Sequence, residues 1–446
     1  MNRDLTRGPV TKGMLLFALP MILGNLLQQF YNVADTLIVG QFLGATALAA
    51  VGSSYTLMTF LTSILLGMCM GSGAVFSIRF GEGDRARLKN SLSLSFLMIA
   101  GFTVVMNLAV FLLIDPMMGL LQVPEEVYPL MRSYLWVIFW GIGGTFLYNY
   151  FACLLRAIGN SATPLLFLGV SAVLNIALDL VFVVVVPWGV AGAAFATSLS
   201  QWVSGLGLLA FTLAKMPQLR PSRQDVRWEK DRVLEIARFS LLTCVQQSVM
   251  NFGILMVQGL VNSFGTVVMA AFAAAVKIDS FAYMPVQDFG NAFSTFIAQN
   301  YGAKRMDRVR RGIKSAVVSS VVFALLISVL VFVFAKPLLL LFVKPEETEI
   351  LAVGVQYLRI EGAFYFGIGI LFLLYGLYRA IERPGMSLVL TVISLGTRVA
   401  LAYILSAIPA IGVVGIWWSV PIGWALADVT GVLYYKKLRG QLAGRP

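Results

Sequence analysis

The sequence contains no histidine, and this absence excludes several kinds of chemistry at once. Histidine is the side chain that most often combines proton transfer with metal binding near neutral pH. Without it, imidazole metal sites, histidine proton relays and Ser-His-Asp catalysis are excluded. The chain also lacks a GxxxxGK[ST] phosphate-binding loop, so nothing supports a built-in ATP motor. We therefore expect a protein that is not an enzyme.

Cysteine and charge are scarce as well. Cys69, Cys153 and Cys244 are scattered through apolar segments without a CxxC pair, which predicts buried thiols and not disulfides. Only 12% of the residues are charged, whereas 59% are hydrophobic, and the mean hydropathy is +0.85. This apolar surface is too large for one soluble core. The composition predicts a polytopic membrane protein.

Apolar runs that are long enough to cross a bilayer fill most of the chain. We predict an all-α fold of twelve transmembrane helices joined mostly by short loops. No cleavable leader precedes the first run, so we expect its helix to stay in the mature protein. The predicted spans are 13–39, 46–76, 90–114, 131–154, 162–186, 189–215, 236–262, 267–299, 315–341, 353–378, 385–408 and 412–435.

The net charge of +12 follows the predicted membrane topology and does not indicate nucleic-acid binding. Basic residues cluster at one set of helix ends, while the opposite loops carry acids such as Glu125 and Glu346. Positively charged loops face the cytoplasm. We therefore expect a multi-pass protein of the cell (inner) membrane with both termini in the cytoplasm.

The two halves of the sequence repeat. Matching residues displaced by 223 positions are Tyr134 and Tyr357, Arg156 and Arg379, Ser171 and Ser394, and Gly189 and Gly412, and a weaker match displaced by 221 positions aligns Gly81 with Gly302. We predict an N-lobe at 1–215, a cytoplasmic linker at 216–235 and a C-lobe at 236–446. The two six-helix lobes are expected to be related by a pseudo-two-fold axis along the membrane normal.

Two acids of the first half lie inside apolar runs. An ionised group at the bilayer centre costs on the order of 2.5 to 3.5 kcal/mol on insertion scales, so such acids usually mark a binding site. Asp35 in the first span, Asp179 in the fifth and Thr197 in the sixth all lie roughly 8 to 12 Å below the outer boundary. Asn175 is one helical turn from Asp179 on the same face. The four side chains predict a cation site for Na⁺ or H⁺.

The second half of the repeat carries different side chains at the positions of this site. Asn175 aligns with Arg398, Asp179 with Ala402 and Thr197 with Val420. The predicted cation site therefore belongs to the first half alone. The alternative for all four residues is that they form hydrogen bonds between neighbouring helices as purely structural contacts.

Buried charges of both signs occur in the second half, namely Lys277, Asp279, Asp288, Glu361 and Arg398. They are compatible with a neutralised ion-pair network and with a second coupling or substrate site. Glu361 is the best functional candidate among them because it lies at a depth similar to that of the predicted cation site.

Two further features concern the first half. Gln28, Tyr31 and Asn149 are candidates, with Glu361, for the lining of a substrate cavity, although ordinary helix packing would also explain them.

Pro20 lies inside the first span, where proline removes a backbone hydrogen bond and permits a bend. It predicts a hinge in the helix that carries Asp35.

The chain resembles the multidrug and toxic compound extrusion (MATE) family. The resemblance rests on the twelve spans, on the first helix with its proline and its acid near the outer end, and on the turns FGEG at 80–83 and NYGA at 300–303. It implies that Asp35, Asn175, Asp179 and Thr197 form the cation site and are metal ligands if the ion is Na⁺. It also implies that Pro20 is the bend and that Gln28 and Tyr31 line the cavity.

The same resemblance implies a function. Members of the family are secondary antiporters that export amphipathic, often cationic organic compounds in exchange for Na⁺ or H⁺. We thus expect no organic cofactor, small amphipathic drugs and membrane lipid as partners, no nucleic acid, and a monomer. The NorM-type branch also has acids in the seventh and tenth spans; this sequence lacks the first and offers only Glu361 for the second.

Three other functions stay open. A flippase of lipid-linked saccharides from the same superfamily would need a strongly cationic cavity, for which Lys277 and Arg398 are candidates. An ion channel should lack a one-sided acid site. A membrane receptor would normally bring a soluble signalling domain, and no such domain is evident in the sequence.

Overall fold

A computed structural model describes residues 4–120, 123–220, 222 and 225–443, and within these ranges the regular elements are all helical. The all-α prediction is confirmed. The helices are α1 Val10–Leu43, α2 Ala45–Glu82, α3 Arg85–Leu112, α4 Ile114–Leu120, α5 Tyr128–Ile138, α6 Ile142–Ala157, α7 Ala162–Asp179, α8 Gly189–Lys215, α9 Lys230–Asn262, α10 Thr266–Gly302, α11 Met306–Val333, α12 Ala335–Leu339, α13 Thr348–Gly362, α14 Tyr365–Ala380, α15 Pro384–Ser406 and α16 Val413–Ala443.

The helices account for the predicted membrane spans. Within the described ranges, 11 helical runs are long and apolar enough to cross a membrane, and a bent pair of helices raises the number to 12. The bent pair is α13 and α14, whose axes differ by 50°. The tenth predicted span, 353–378, thus consists of two helices. Other helices continue beyond their apolar runs; α2, for example, extends to Glu82 and carries Arg79 in its last turn.

The chain forms two compact units. The first contains Leu19–Cys244, and the second contains Leu5–Ala18 together with the chain from Val245 onward. Helix α1 therefore belongs to both units and changes from one to the other just before Pro20, and α9 changes at Cys244. The bounds of the two units are set by which helices pack against each other. The division into lobes at 1–215 and 236–446, which follows the sequence repeat, stays a prediction.

Backbone conformation confirms the repeat. Positive φ angles recur in pairs at Gly44 (86°) and Gly265 (96°), Gly83 (74°) and Lys304 (55°), Gly159 (85°) and Glu382 (63°), and Gly189 (63°) and Gly412 (56°). Each pair is displaced by 221 or 223 positions, as the matching side chains are. Left-handed backbone is readily available only to glycine. Lys304 and Glu382 therefore show that the second half keeps the turn even where it has lost the glycine.

Helix packing follows the same repeat inside each unit. In the first unit α7 packs on α8, α5 packs on α8, and α2 packs on α5 and α6. In the second unit α15 packs on α16, α13 packs on α16, and α10 packs on α13 and α14. Helices α15 and α13 thus occupy the places that α7 and α5 occupy in the first unit. The charged residues on α13 and α15 therefore lie on helices equivalent to α5 and α7 of the first unit.

A face of small residues on α2 brings α9 into direct backbone contact. A Cβ atom added at Gly71 would lie 2.3 Å from the carbonyl oxygen of Phe239, and one at Gly67 would lie 2.6 Å from Cα of Cys244. One turn of α2 also contributes a hydrogen bond of 2.8 Å between the hydroxyls of Ser72 and Ser240. Small residues four apart permit such close approach between membrane helices. The first half of α9 is thereby fixed to the first unit.

Candidate functional site

The two acids of the predicted cation site lie together. Asp35 on α1 and Asp179, the last residue of α7, have their carboxyl groups within hydrogen-bonding distance of one another. Asp179 is 0% exposed. Oδ1 of Asp35 and both carboxyl oxygens of Asp179 are buried and receive no hydrogen bond from any described residue. Two ionised carboxylates have no proton to share, so this contact requires a proton or a cation.

Asn175 and Thr197 form the second part of the site. The amide nitrogen of Asn175 donates to Oγ1 of Thr197 over 3.2 Å, and that hydroxyl donates in turn to the carbonyl oxygen of Ala193 over 3.1 Å. These bonds orient both side chains and leave the carbonyl oxygen Oδ1 of Asn175 buried without a partner among the described residues. Asn175 and Asp179 are one turn apart on α7, so this oxygen lies on the face of α7 that carries the acid.

The local backbone at Asp179 is unusual. The α-helical hydrogen bonding of α7 ends at this residue, and Leu180–Val185 continues as a π-helical segment. Such segments are rare and are frequent at functional sites. Tyr134 of α5, which is 6% exposed, lies beside both carboxyl groups. The sequence pointed to Tyr134 only as half of a repeated pair, so its place beside the acids was missed.

Together these residues offer oxygen atoms only. The described part of the chain contains no group of three or more Cys, Asp or Glu side chains that would hold a metal ion. Two carboxyl groups, an amide oxygen and a hydroxyl are instead donors that suit a single hard cation. The unpartnered oxygen of Asn175 fits such an ion. The pair of acids alone suits a proton.

The predicted cavity residues are only partly brought together. Gln28 is exposed on α1, and its side chain lies within hydrogen-bonding distance of the buried hydroxyl of Tyr31. Tyr31 also lies near Asp35 and Tyr148. Asn149 is half-buried on α6 and donates to the carbonyl oxygen of Thr145 within its own helix. The role of these three residues in a substrate cavity stays a prediction.

Helix α1 runs through Pro20 without interruption of its helical residues. The proline nonetheless removes one backbone hydrogen bond, and the helix passes from one unit to the other between Ala18 and Leu19. The missing hydrogen bond at Pro20 therefore lies close to the position at which α1 changes from one unit to the other. The role of Pro20 as a hinge stays a prediction.

A second charged cluster lies in the second unit. Asp279 of α10 and Glu361 of α13 are 4% and 2% exposed, and their carboxyl groups lie within hydrogen-bonding distance of one another. Tyr365 donates to Oδ1 of Asp279 over 2.6 Å, and the hydroxyl of Tyr357 lies 3.5 Å from Oδ2. Arg398 of α15 is half-buried and lies near enough to both acids to interact with them electrostatically, but it forms no ion pair with either, and its Nε is buried without a hydrogen-bond partner among the described residues. Whether these three residues form a neutralised ion-pair network or a second site stays a prediction.

Two other charges of the second half lie elsewhere. Lys277 is exposed and lies over the ring of Phe342, 5.7 Å from its centre. Asp288 is buried on α10 nine residues beyond Asp279, about 13 Å along the helix axis. Among the described residues, Arg398 is thus the basic side chain that interacts electrostatically with Asp279 and Glu361. The role of Glu361 in lining a substrate cavity stays a prediction.

Sequence reasoning overlooked Asp428. This acid lies in α16, inside the twelfth predicted span, and Oδ1 is buried without a hydrogen-bond partner among the described residues. Its Oδ2 lies 3.7 Å from the position that a Cβ atom would take at Gly367 of α14. The signal was available, because an acid inside an apolar run is costly whichever half carries it.

Comparison with known proteins decides the family. The sequence profile named MatE matches residues 20–181 and 242–404, which include Asp35 and Asp179 in the first half and Asp279, Glu361 and Arg398 in the second. The chain belongs to the MatE family. The predicted resemblance is therefore confirmed, and the protein is a membrane transporter and not an enzyme.

Relatives and solved structures agree with this assignment. The probable multidrug resistance protein YpnP of Bacillus subtilis is 31% identical over 97% of this chain and 96% of its own length. The FAD transporter of Shewanella oneidensis is 25% identical over 94% and 93%. An outward-facing multidrug resistance MATE transporter of the MOP superfamily superposes with a TM-score of 0.92 at 23% identity, covering 99% of this chain and 98% of that one. This superposition shows that the two chains share a fold.

Proposed function

We propose that this MatE protein is an antiporter that exports amphipathic, often cationic organic compounds in exchange for Na⁺ or H⁺. The observation that carries the proposal is the buried contact between Asp35 and Asp179, which has no cationic side chain beside it in the described part of the chain. Such a pair is stable only when a cation or proton is bound. A multidrug substrate range is supported by the relatives described as multidrug resistance proteins.

Coupling would operate through α1. An ion or proton that neutralises Asp35 and Asp179 removes the cost of burying them, and an organic cation that enters the first unit competes for the same negative charge. The missing backbone hydrogen bond at Pro20 gives the part of α1 that carries Asp35 a point at which to bend. A related solved MATE is described as being in the bent conformation. Alternating access would then link ion entry to substrate release.

The orientation of the chain in the membrane is also part of the proposed function. The basic ends of the helices support cytoplasmic termini, and acids such as Asp115 would then lie at the outer face. The protein would act as a monomer in the cell membrane. A charge that moves inward across 100 mV supplies about 2.3 kcal/mol, enough for a modest export gradient even without a chemical gradient of the ion.

The first experiment uses purified protein in lipid vesicles with a fluorescent organic cation as substrate. Sodium and proton gradients are imposed separately. We expect one of the two gradients to drive substrate movement, and we expect Asp35→Asn and Asp179→Asn to abolish the gradient-driven part because neither amide carries the charge that holds the ion. Transport that is indifferent to both gradients would rule out antiport.

Asp115→Asn is the matched control for these variants. Asp115 is an exposed acid that pairs with Arg132 over 2.8 Å, so the same chemical change there leaves the buried pair intact. We expect this variant to transport like the unmodified protein. Near-normal transport by either Asp35→Asn or Asp179→Asn would overturn the proposed coupling site, whatever the control does.

Two alternative substrates are tested in the same vesicles. Lipid-linked saccharides and dinucleotides carry pyrophosphate, which requires free cations in the binding region. Arg398 lies near the acids Asp279 and Glu361, which does not favour a pyrophosphate there, and Lys277 is exposed over an aromatic ring. One relative is nevertheless described as an FAD transporter. Movement of FAD and not of the organic cation would favour that function.

A further inference from the structure

A shallow groove lies at the basic ends of three helices of the second unit. Helix α14 packs on both α11 and α16, and all three helices contribute side chains to the groove. Its polar lining residues are Arg310 and Tyr435. Its walls are mainly apolar and include Val309, Ile313, Leu377 and Ile381.

The groove is polar at one end and apolar at the other. Arg310 precedes the ninth predicted span, and Tyr435 is the last residue of the twelfth. One turn deeper along each helix, Val317 of α11 and Val432 of α16 are 36% and 38% exposed. Tyrosine is common at the boundary between membrane and water, and exposed valines suit hydrocarbon. The groove thus runs from the level of lipid headgroups toward the level of acyl chains.

The cation in this groove is available to a ligand. Arg310 is exposed, and it forms no ion pair or hydrogen bond within the part of the chain that the structure describes. Asp307, one turn earlier on α11, is exposed and is not paired with it there either. Lys314 lies one turn beyond Arg310 on the same face and is also exposed. A guanidinium and an ammonium group four residues apart can bind one phosphate.

The corresponding place in the first unit is more deeply buried. The repeat aligns Ile313 with Leu92 at a displacement of 221 positions, and Tyr435 with Thr212 at 223. Leu92 and Thr212 are 6% and 2% exposed, whereas Ile313 and Tyr435 are both partly exposed. The two units therefore differ in what covers this end of their helices.

The difference follows from how the last helix of each repeat ends. Helix α8 ends at Lys215, and the next residues of the chain include Met216 and Leu219, which are buried in the same apolar cluster as Leu92. Helix α16 instead continues from Tyr435 to Ala443, about 12 Å along the helix axis. The described chain therefore covers the place in the first unit and leaves the groove in the second unit open.

We propose that this groove binds an anionic phospholipid, with one acyl chain between α11 and α16 and with the phosphate held by Arg310 and Lys314. Basic pockets between membrane helices on the cytoplasmic side bind anionic headgroups. The acyl chain would cover apolar side chains in the second unit, as Met216 and Leu219 do in the first. The proposal concerns lipid binding and does not depend on coupling at Asp35 and Asp179.

Native mass spectrometry of the full chain tests the proposal. Purified protein is titrated with phosphatidylglycerol and with phosphatidylcholine of the same acyl chains, and the bound lipids are counted. We expect one tightly bound phosphatidylglycerol. Arg310→Gln should weaken its binding about fivefold, the effect of ~1 kcal/mol per basic residue. Arg311→Gln is the matched control, because Arg311 is an exposed neighbour outside the groove lining.

The apolar part of the groove is tested separately. Ile313→Trp fills the space between the helices, so we expect it to weaken binding of phosphatidylglycerol without any change of charge. Val318→Trp is the control, since Val318 is 55% exposed on a different face of α11. If Ile313→Trp does not fold, the comparison of Arg310→Gln with Arg311→Gln still decides, because both arginines are exposed.

Four results would overturn the proposal. Equal losses in Arg310→Gln and Arg311→Gln would show unspecific attraction to a basic surface, and equal retention of the two lipids would show that the phosphate charge is not recognised. Displacement of the lipid by inorganic phosphate would show an anion site without an acyl chain. A dimer of lipid-free protein that Ile313→Trp dissociates would place a second copy of the chain on the groove. Gradient-driven transport in vesicles is a separate measurement, so failure of either proposal leaves the other intact.

Discussion

At the scale of single residues, the cost of burying charge is the most reliable guide to this protein. Asp35 and Asp179 could be singled out from the sequence because each interrupts an apolar run. Their mutual contact could not, because it depends on how α1 and α7 pack. The two acids lie at similar depths in their spans, and in the structure they meet within the first unit.

The aromatic residues beside the buried acids could not be assigned from the sequence. Tyr134 beside the first pair and Tyr365 beside Asp279 are aromatic residues in apolar helices, where nothing distinguishes a tyrosine near an acid from one in ordinary packing. Arg398 was visible as a charge, but the two acids near it lie on two other helices. Contacts between helices that are distant in sequence need the fold before they can be assigned.

Thr197 provides a test at this scale that separates the two candidate ions. Thr197→Val keeps the shape of the side chain but removes the hydroxyl oxygen. If Na⁺ is the coupling ion, we expect the sodium concentration for half-maximal transport to rise about tenfold, which corresponds to ~1.4 kcal/mol for one lost ligand. Thr197→Ser, which keeps the oxygen, should behave like the unmodified protein. Equal sodium dependence of the two variants would remove Thr197 from the ion site.

At the scale of helices, hydropathy predicted where spans occur better than how they end or bend. The tenth span was expected as one apolar run at 353–378, yet α13 ends at Gly362 and α14 begins at Tyr365 with a bend of 50°. The run contains no proline, and Gly362 at the break is only one of five glycines within it, so the position of the break was not distinctive in the sequence. Glu361 and Tyr365 lie on either side of it and both reach Asp279. The buried cluster and the break are therefore one local feature.

Close helix contact gives a prediction of stability. Gly71→Ala places a methyl group 2.3 Å from the carbonyl oxygen of Phe239, so α2 and α9 must separate. We expect a clear fall in the midpoint of thermal unfolding, corresponding to about 1 to 3 kcal/mol for overpacking. Gly101→Ala on α3 is the control, because a Cβ atom there meets nothing within 4 Å. The contact would be unimportant for stability if both variants unfolded at the same temperature.

At the scale of the whole molecule, the chain is a duplicated scaffold in which the two units have diverged in charge. The repeat was readable from sequence because the displacements of 221 and 223 positions persist through turns and helices. The bounds of the packed units were not, since α1 and α9 each pass from one unit to the other. The duplication is therefore seen in the order of residues along the chain, whereas the bounds of the two units are set by which helices pack together.

The segment before α1 provides the last test, because it determines how α1 begins in the second unit. Arg308 donates to the carbonyl oxygens of Leu5 over 3.1 Å and Gly8 over 2.8 Å, and the amide of Asn300 also donates to Leu5 over 3.1 Å. The start of the chain is thus held by the end of α10 and the start of α11.

We expect Arg308→Ala to release this segment, since hydrogen bonds from charged donors contribute about 1.5 to 3 kcal/mol each. Amide hydrogen exchange at Leu5, whose N–H donates to Oε1 of Gln299 and is exposed when the segment leaves, should then speed up by roughly tenfold or more. Arg311→Ala, which removes an exposed arginine one turn away, is the control. If coupling operates through α1 as proposed, Arg308→Ala should also weaken gradient-driven transport while leaving the thermal stability of the first unit unchanged. Unaltered exchange at Leu5 would show that Arg308 does not anchor α1.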